Sequence, residues 1–292
     1  EATASLPQFS VALDQILIGS SNEKQLLAFK DYPDWNSFKG RIELVRVPYL
    51  RLFRDEVQIY QRQVSDGVMP KPVAPHVIEV AARWAVLTRL EAPDPERYPE
   101  SVRGLVARLT PTEKLDLYDS ATVPEWVGAQ EARELIGIIP DLFNEQRGGP
   151  VYEGQLGASA RELRTLLVNA AQRTEYRSLT PLPVLDELEA LVQDRSLYDF
   201  LKREPDRGFH EAARFVDVVR EWWLDIFDDE IRQSMGLVEE TRYDELFERY
   251  VRHVSALVKN EKILDSYTGA LVDPDQELLD EVEDVLLAEN ES

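Results

Sequence analysis

Cysteine is absent from this chain of 292 residues. That excludes disulfides, thiolate metal sites and cysteine nucleophiles, and it fits a reducing compartment. Histidine is scarce. His76, His210 and His253 lie far apart, and none has helical ligand spacing with another, so a histidine-built metal centre is not expected. No apolar run approaches the roughly 20 residues that span a bilayer, and Glu1-Ala2-Thr3-Ala4-Ser5 is not the basic start of a signal peptide. Positive charge is also in deficit, with 33 Lys and Arg against 55 Asp and Glu and a net charge of -22. Such a surface repels nucleic acid and anionic membrane, so neither is an expected partner; the expected compartment is the cytoplasm.

What is present suffices for a sizeable core. Hydrophobic residues make up 43% of the chain, and its length suits about two domains. The chain opens at Glu1 without a methionine and almost at once meets a strand-like segment, which predicts a cut inside a larger protein. Ile16, Leu17 and Ile18 form a short apolar run closed by Gly19. Ile42, Leu44, Val45 and Val47 form a second, closed by Pro48. Both read as short buried strands of the kind found in parallel sheets. Between them, Glu23 to Lys30 predicts about two turns of helix.

Beyond Pro48 the pattern is helical. Phe53, Val57, Tyr60 and Val64 recur at spacings of three and four. Pro70, Pro72 and Pro75 mark a rigid break, and Pro75 suits the first position of a helix carrying Val77, Val80, Ala81, Trp84 and Leu87. A proline-rich and acidic loop spans Ala92 to Pro99. Thr110-Pro111-Thr112-Glu113 has capping-box spacing. Arg147-Gly148-Gly149-Pro150 reads as a turn, and the two prolines of Ser178 to Pro183 suggest a boundary. Three amphipathic helices follow, lined by Leu185 to Val192, by Phe215 to Phe227 with Trp222-Trp223 as core, and by Tyr243 to Val258. Asp280 to Leu287 reads as a solvated acidic helix, and a basic partner is its second reading.

Three polar residues stand out. Gly157-Ala158-Ser159-Ala160-Arg161-Glu162 predicts a helix start with Ser159 as N-cap and Glu162 closing the box. Helix geometry leaves Arg161 unexplained. A cation in the first turn opposes the helix dipole at a cost of about 0.3–1 kcal/mol when exposed, and a bound anion such as a nucleotide phosphate reverses that sign. Asn22 is either a turn or helix cap, or an amide that orients an attacking water near a γ-phosphate. Arg41 is either a partner for Glu43 or another surface acid, or a finger for a neighbouring subunit's nucleotide.

The order of these residues resembles the second half of an AAA+ ATPase module. Asn22-Glu23, Phe38-Lys39-Gly40-Arg41-Ile42-Glu43-Leu44-Val45-Arg46-Val47-Pro48-Tyr49, Val86-Leu87-Thr88-Arg89-Leu90 and Gly157-Ala158-Ser159-Ala160-Arg161 are similar to the PrkA-type serine protein kinase family. So are Phe247-Glu248-Arg249-Tyr250-Val251 and Asp265-Ser266-Tyr267-Thr268-Gly269-Ala270-Leu271-Val272-Asp273, as part of its C-terminal domain. The resemblance implies a mainly α fold: the C-terminal remnant of an AAA+ α/β core with two short strands over residues 1–66, a helical lid over 67–178 and a C-terminal helical domain over 179–292. It implies ATP and Mg in the intact protein, a protein substrate or regulator, and homo-oligomers. Asn22 would be the sensor beside the nucleotide, Arg161 the lid sensor and Arg41 the arginine finger.

The sequence departs from that family in one respect. No Gly-x-x-x-x-Gly-Lys-Ser/Thr run occurs, so no lysine-bearing loop holds the β- and γ-phosphates. The protein-kinase set of His-Arg-Asp loop, Asp-Phe-Gly and Gly-rich loop is missing too. The chain alone is therefore expected to bind no nucleotide and to be inactive. In the AAA+ sheet the strand bearing the phosphate loop lies between the two strands read here. The N-terminal segment is then expected to re-pair, to pack in a dimer, or to belong with an upstream piece. The rival reading is a helical regulatory or assembly module that works by protein–protein contact.

Overall fold

The computed structural model describes residues 2–6, 9–13, 16, 18–63, 69–145, 151–235, 240–259, 262–264 and 271–275. It is mainly α, as expected, and divides into two compact units, Glu1–Pro48 and Tyr49–Ser292.

The first unit opens with a hairpin. Strands β1 (Ala2–Leu6) and β2 (Phe9–Leu13) pair antiparallel, with Ala2 opposite Leu13 and Leu6 opposite Phe9. The alternation Phe9-Ser10-Val11-Ala12-Leu13 is the period-two signal for β2. Helices α1 (Glu23–Lys30) and α2 (Trp35–Lys39) follow, and neither buries a residue. Phe29 gathers Trp35 and Phe38 edge-on at 5.7 and 5.6 Å between ring centroids.

The two strands expected from the apolar runs do not form. Ile16 and Ile18 lie outside any strand, as do Ile42 to Val47. Ile16 and Ile18 are 91% and 90% exposed, and Val45 and Val47 are 74% and 84% exposed. The reason is cooperative. A strand is held by a neighbour's N–H and C=O groups, and no described segment lies alongside to supply them.

The second unit is built around one helix. After α3 (Phe53–Gln63) comes α4 (Val77–Leu87), in which Val77, Val80, Ala81, Ala82, Arg83, Trp84, Ala85, Val86 and Leu87 are all buried. A helix buried around nearly its whole circumference must lie at the centre of its neighbours. Its start is two residues later than the proline pattern suggested. His76 is the N-cap, at φ 63°, and Pro75 precedes it. Helices α5 (Glu100–Arg108), α6 (Pro111–Ser120), α7 (Ala129–Gly137) and α8 (Ile139–Asn144) form one flank. The expected capping box of α6 is complete, with Thr110 and Glu113 bonded reciprocally. Helices α9 (Ala160–Gln172), α10 (Pro181–Gln193) and α11 (Ala212–Ser234) complete the packing, and α3, α6, α9, α10 and α11 all touch α4.

Leu163, Leu167, Leu188 and Val219 are fully buried there, each contributing about 1.5–3 kcal/mol. Trp84 donates its indole N–H to the Ala212 carbonyl at 3.0 Å. Of the pair read as core, Trp223 is buried and Trp222 packs half-buried against the core, where Arg83 stacks over its ring at 4.7 Å and Phe53 meets it edge-on. Beyond lie α12 (Glu240–Lys259) and the short pair β3 (Ile263–Leu264) and β4 (Leu271–Val272). The Arg147–Pro150 turn, Asp265 to Ala270 and the acidic segment Asp280–Leu287 lie outside the described residues. Among the described residues no helix is long and apolar enough to cross a membrane.

Candidate functional site

Asn22 is the N-cap of α1, but only its carbonyl works there, accepting from the Gln25 and Leu26 N–H groups at 3.0 Å. Its amide makes no capping bond and is exposed. Arg41 lies in the turn after α2, exposed, with its N–H bonded to the Phe38 carbonyl. Both belong to the first unit, and Arg161 belongs to the second.

Arg161 occupies the second position of α9. The capping box forms as the spacing predicted: the Glu162 N–H donates to Ser159 Oγ at 3.3 Å, and the Ser159 N–H donates to Glu162 Oε2 at 2.6 Å. The box satisfies those two N–H groups. Those of Ala160 and Arg161 keep no acceptor among the described residues, and the Arg161 side chain is exposed without an ion pair among them. Two free amides and one guanidinium thus share the positive end of one helix, a donor set suited to an oxyanion.

What surrounds this helix end was not legible from local pattern. Gly157 sits at φ +135°, where only glycine rests without strain, and a Cβ there would meet Arg89 Cγ at 2.4 Å. The Ala158 N–H donates to Thr88 Oγ1 at 2.9 Å. The Ala158 carbonyl accepts from Arg89 Nε at 2.9 Å and from Arg89 Nη2 at 2.6 Å. Arg89 also donates to the Leu50 carbonyl at 2.9 Å and forms a fork with Glu56 at 2.7 and 2.6 Å. Both members of that pair are 1% exposed. Burial alone would lower the Arg89 pKa, but the Glu56 carboxylate more than offsets it and the pKa rises. Tyr60 donates to Glu56, and burial with that neighbouring charge pushes its hydroxyl far above the ordinary phenol range.

The same loop is fixed one turn earlier. Gly154 donates to the Arg89 carbonyl at 3.1 Å and accepts from the Tyr49 N–H at 2.8 Å. The buried Glu153 carboxylate accepts from Arg51 at 3.1 Å, from Tyr118 at 3.1 Å, from the Glu91 N–H at 2.9 Å and from Lys114. Glu91 is gripped by the Arg203 fork and by His210 at 3.0 Å. Three stretches distant in sequence, Tyr49 to Arg51, Thr88 to Glu91 and Glu153 to Ala158, therefore meet in the loop before α9. The available signal was charge inside an apolar run: Arg89 closes Ala81–Leu90, where only a partnered arginine can be buried.

The α9 terminus can face a terminal phosphate, but no described group of three His, Asp or Glu residues could hold a metal ion.

The profile of the PrkA AAA domain matches residues 3–97, and that of the PrkA serine protein kinase C-terminal domain matches residues 112–292. The ATP-dependent protease PrkA of Bacillus subtilis (strain 168) is 24% identical over 285 residues, which is 96% of this chain and 40% of that protein. The serine/threonine kinase YeaG of Escherichia coli (strain K12) is 21% identical over 270 residues, or 88% of this chain and 36% of that one. The chain thus spans well under half the length of these relatives. No solved structure matches it.

Proposed function

Because the chain belongs to the PrkA serine protein kinase family, we propose that it supplies the phosphate-sensing, lid-side part of an ATP-driven cytoplasmic protein. In this reading Arg161 reads the terminal phosphate from the first turn of α9. Asn22 positions the attacking water, and Arg41 reaches the nucleotide of a neighbouring subunit in a homo-oligomer. ATP and Mg are held by the whole protein, and their phosphate loop is not among these 292 residues. The relatives' names divide between proteolysis and phosphoryl transfer, and phosphate sensing serves an ATP-dependent protease and a kinase alike.

One observation carries the reading: an arginine and two backbone N–H groups without partners among the described residues share the start of a helix whose position is fixed by a buried ion pair. The test is Arg161→Ala in the full reading frame. Loss of one preorganised donor to a developing oxyanion is expected to lower kcat roughly 10²-fold with assembly unchanged. Unchanged turnover with altered assembly would overturn the reading in favour of a helical assembly module. One feature favours that second reading: Leu224, Phe227, Ile231 and Met235 recur along α11 and stay substantially exposed.

A further inference from the structure

We infer that Arg89 is a positioning residue: through Ala158 it sets where the first turn of α9, and with it Arg161, stands relative to the segment Tyr49–Leu52. This rests on the phosphate-sensing reading and adds to it the part that makes Arg161 effective.

The argument starts from donor arithmetic. A guanidinium has five N–H donors in a fixed fork. Arg89 directs two at the Ala158 carbonyl, two at Glu56 and one at Leu50. None remains for a ligand, so Arg89 does not itself meet a nucleotide. The acceptors lie on two separate stretches of chain: the continuous segment from Tyr49 into α3, which carries Leu50 and Glu56, and the loop before α9. Ala158 is the residue before the N-cap, and both its backbone polar groups are held by the consecutive residues Thr88 and Arg89. Thr88 is itself fixed, donating to the Ala85 carbonyl at 2.7 Å. Gly157 lies against the Arg89 stem with no room for a Cβ. The loop therefore cannot shift without moving Arg89, and Arg89 cannot shift without moving Leu50 or Glu56.

A role confined to stability fits less well. Buried ion pairs often add little stability over well-packed apolar residues, whereas they fix geometry wherever every donor has an acceptor.

The test uses Arg89→Lys, Arg161→Ala and the double variant, in the full reading frame for turnover and in this chain for hydrogen exchange. Lysine keeps the charge for Glu56 but offers three donors without the fork. In the chain, Arg89→Lys is expected to speed exchange of the Ala158, Glu162 and Leu163 amides about tenfold, the loss of one charge-assisted hydrogen bond, while amides of α10 stay unchanged. In turnover, Arg89→Lys is expected to lower kcat more than it changes KM, and the double variant to be no slower than Arg161→Ala alone. If Arg161→Ala is silent, the phosphate reading itself fails. If Arg161→Ala is slow but Arg89→Lys is silent or multiplies with it, the positioning inference fails and the reading stands. Uniformly faster exchange throughout the unit would also overturn the inference. Should Arg89→Lys not fold, Thr88→Val removes the acceptor for the Ala158 N–H together with the Thr88 bond to the Ala85 carbonyl, and the same non-additivity with Arg161→Ala is required of it.

Discussion

The two units depart in opposite ways from the usual arrangement of side chains relative to water. In Glu1–Pro48, Val47 is 84% exposed and neither helix buries a residue. In Tyr49–Ser292, Arg89 is 1% exposed and Lys114, Glu56 and Glu153 are buried with it. Residue type therefore does not decide burial; partners do. Every buried charge named here meets an opposite charge and further hydrogen bonds. Among the described residues the exposed valines meet no ladder and no packed face that would compensate the entropy of ordering them.

The strongest way to break this comparison is to remove one partner from the buried set. Arg89→Leu leaves Glu56 charged, buried and unmatched. It is expected to cost about 3–5 kcal/mol in urea unfolding, and adding Glu56→Leu should recover only the share due to the unmatched carboxylate, because the Ala158 and Leu50 carbonyls stay without their donor. A cost below about 1 kcal/mol would mean that the pair does not hold the helical unit. Gly157→Ala comes next. It combines a backbone conformation alien to alanine with a methyl aimed at the Arg89 stem, and an expected loss of about 1–3 kcal/mol would appear as a lowered unfolding midpoint.

Acid titration sharpens the comparison further. Burial pushes the Glu91 carboxyl up, but hydrogen bonds from His210 and Arg203 outweigh it and hold the pKa below its ordinary value. A folded pKa below the unfolded one stabilises the fold above the ordinary carboxylate range, about 4.3, and that contribution is lost as pH falls through the folded value. Melting temperature is thus expected to drop on acidification, and Glu91→Gln should flatten that part of the profile. Glu145 acts oppositely: burial outweighs the Asp94 N–H and nearby cations and raises its pKa, so its contribution favours the acidic side. The smallest effect is expected in the first unit. Val45→Ser on an open surface should shift the unfolding midpoint by no more than about 0.5 kcal/mol, and a larger loss would show that Val45 is covered after all.

Sequence legibility followed the range of each interaction. The capping boxes of α6 and α9, α1 from Glu23 to Lys30 and the faces of α10 and α11 depend on residues three or four apart, and all were readable. The left-handed His76 cap was missed because the preceding proline offered an equally local alternative. The expected strands at Ile16–Ile18 and Ile42–Val47 failed because pairing needs a second segment that no short window contains. Arg161 was visible as a cation in the wrong place on a helix. The Arg89–Glu56 pair was not, since its members stand 33 positions apart and only the packing of α3 on α4 brings them together.

Leu44-Val45-Arg46-Val47 has a further consequence, for how the polypeptide behaves in company. An uncovered run rich in β-branched residues offers other molecules a template to add to. Arg46, paired with Glu23 at 3.5 Å, places a charge between the two valines. Such interruptions act as gatekeepers against self-association. Neutralising Arg46 is therefore expected to be felt first as turbidity at high concentration rather than as a change in fold.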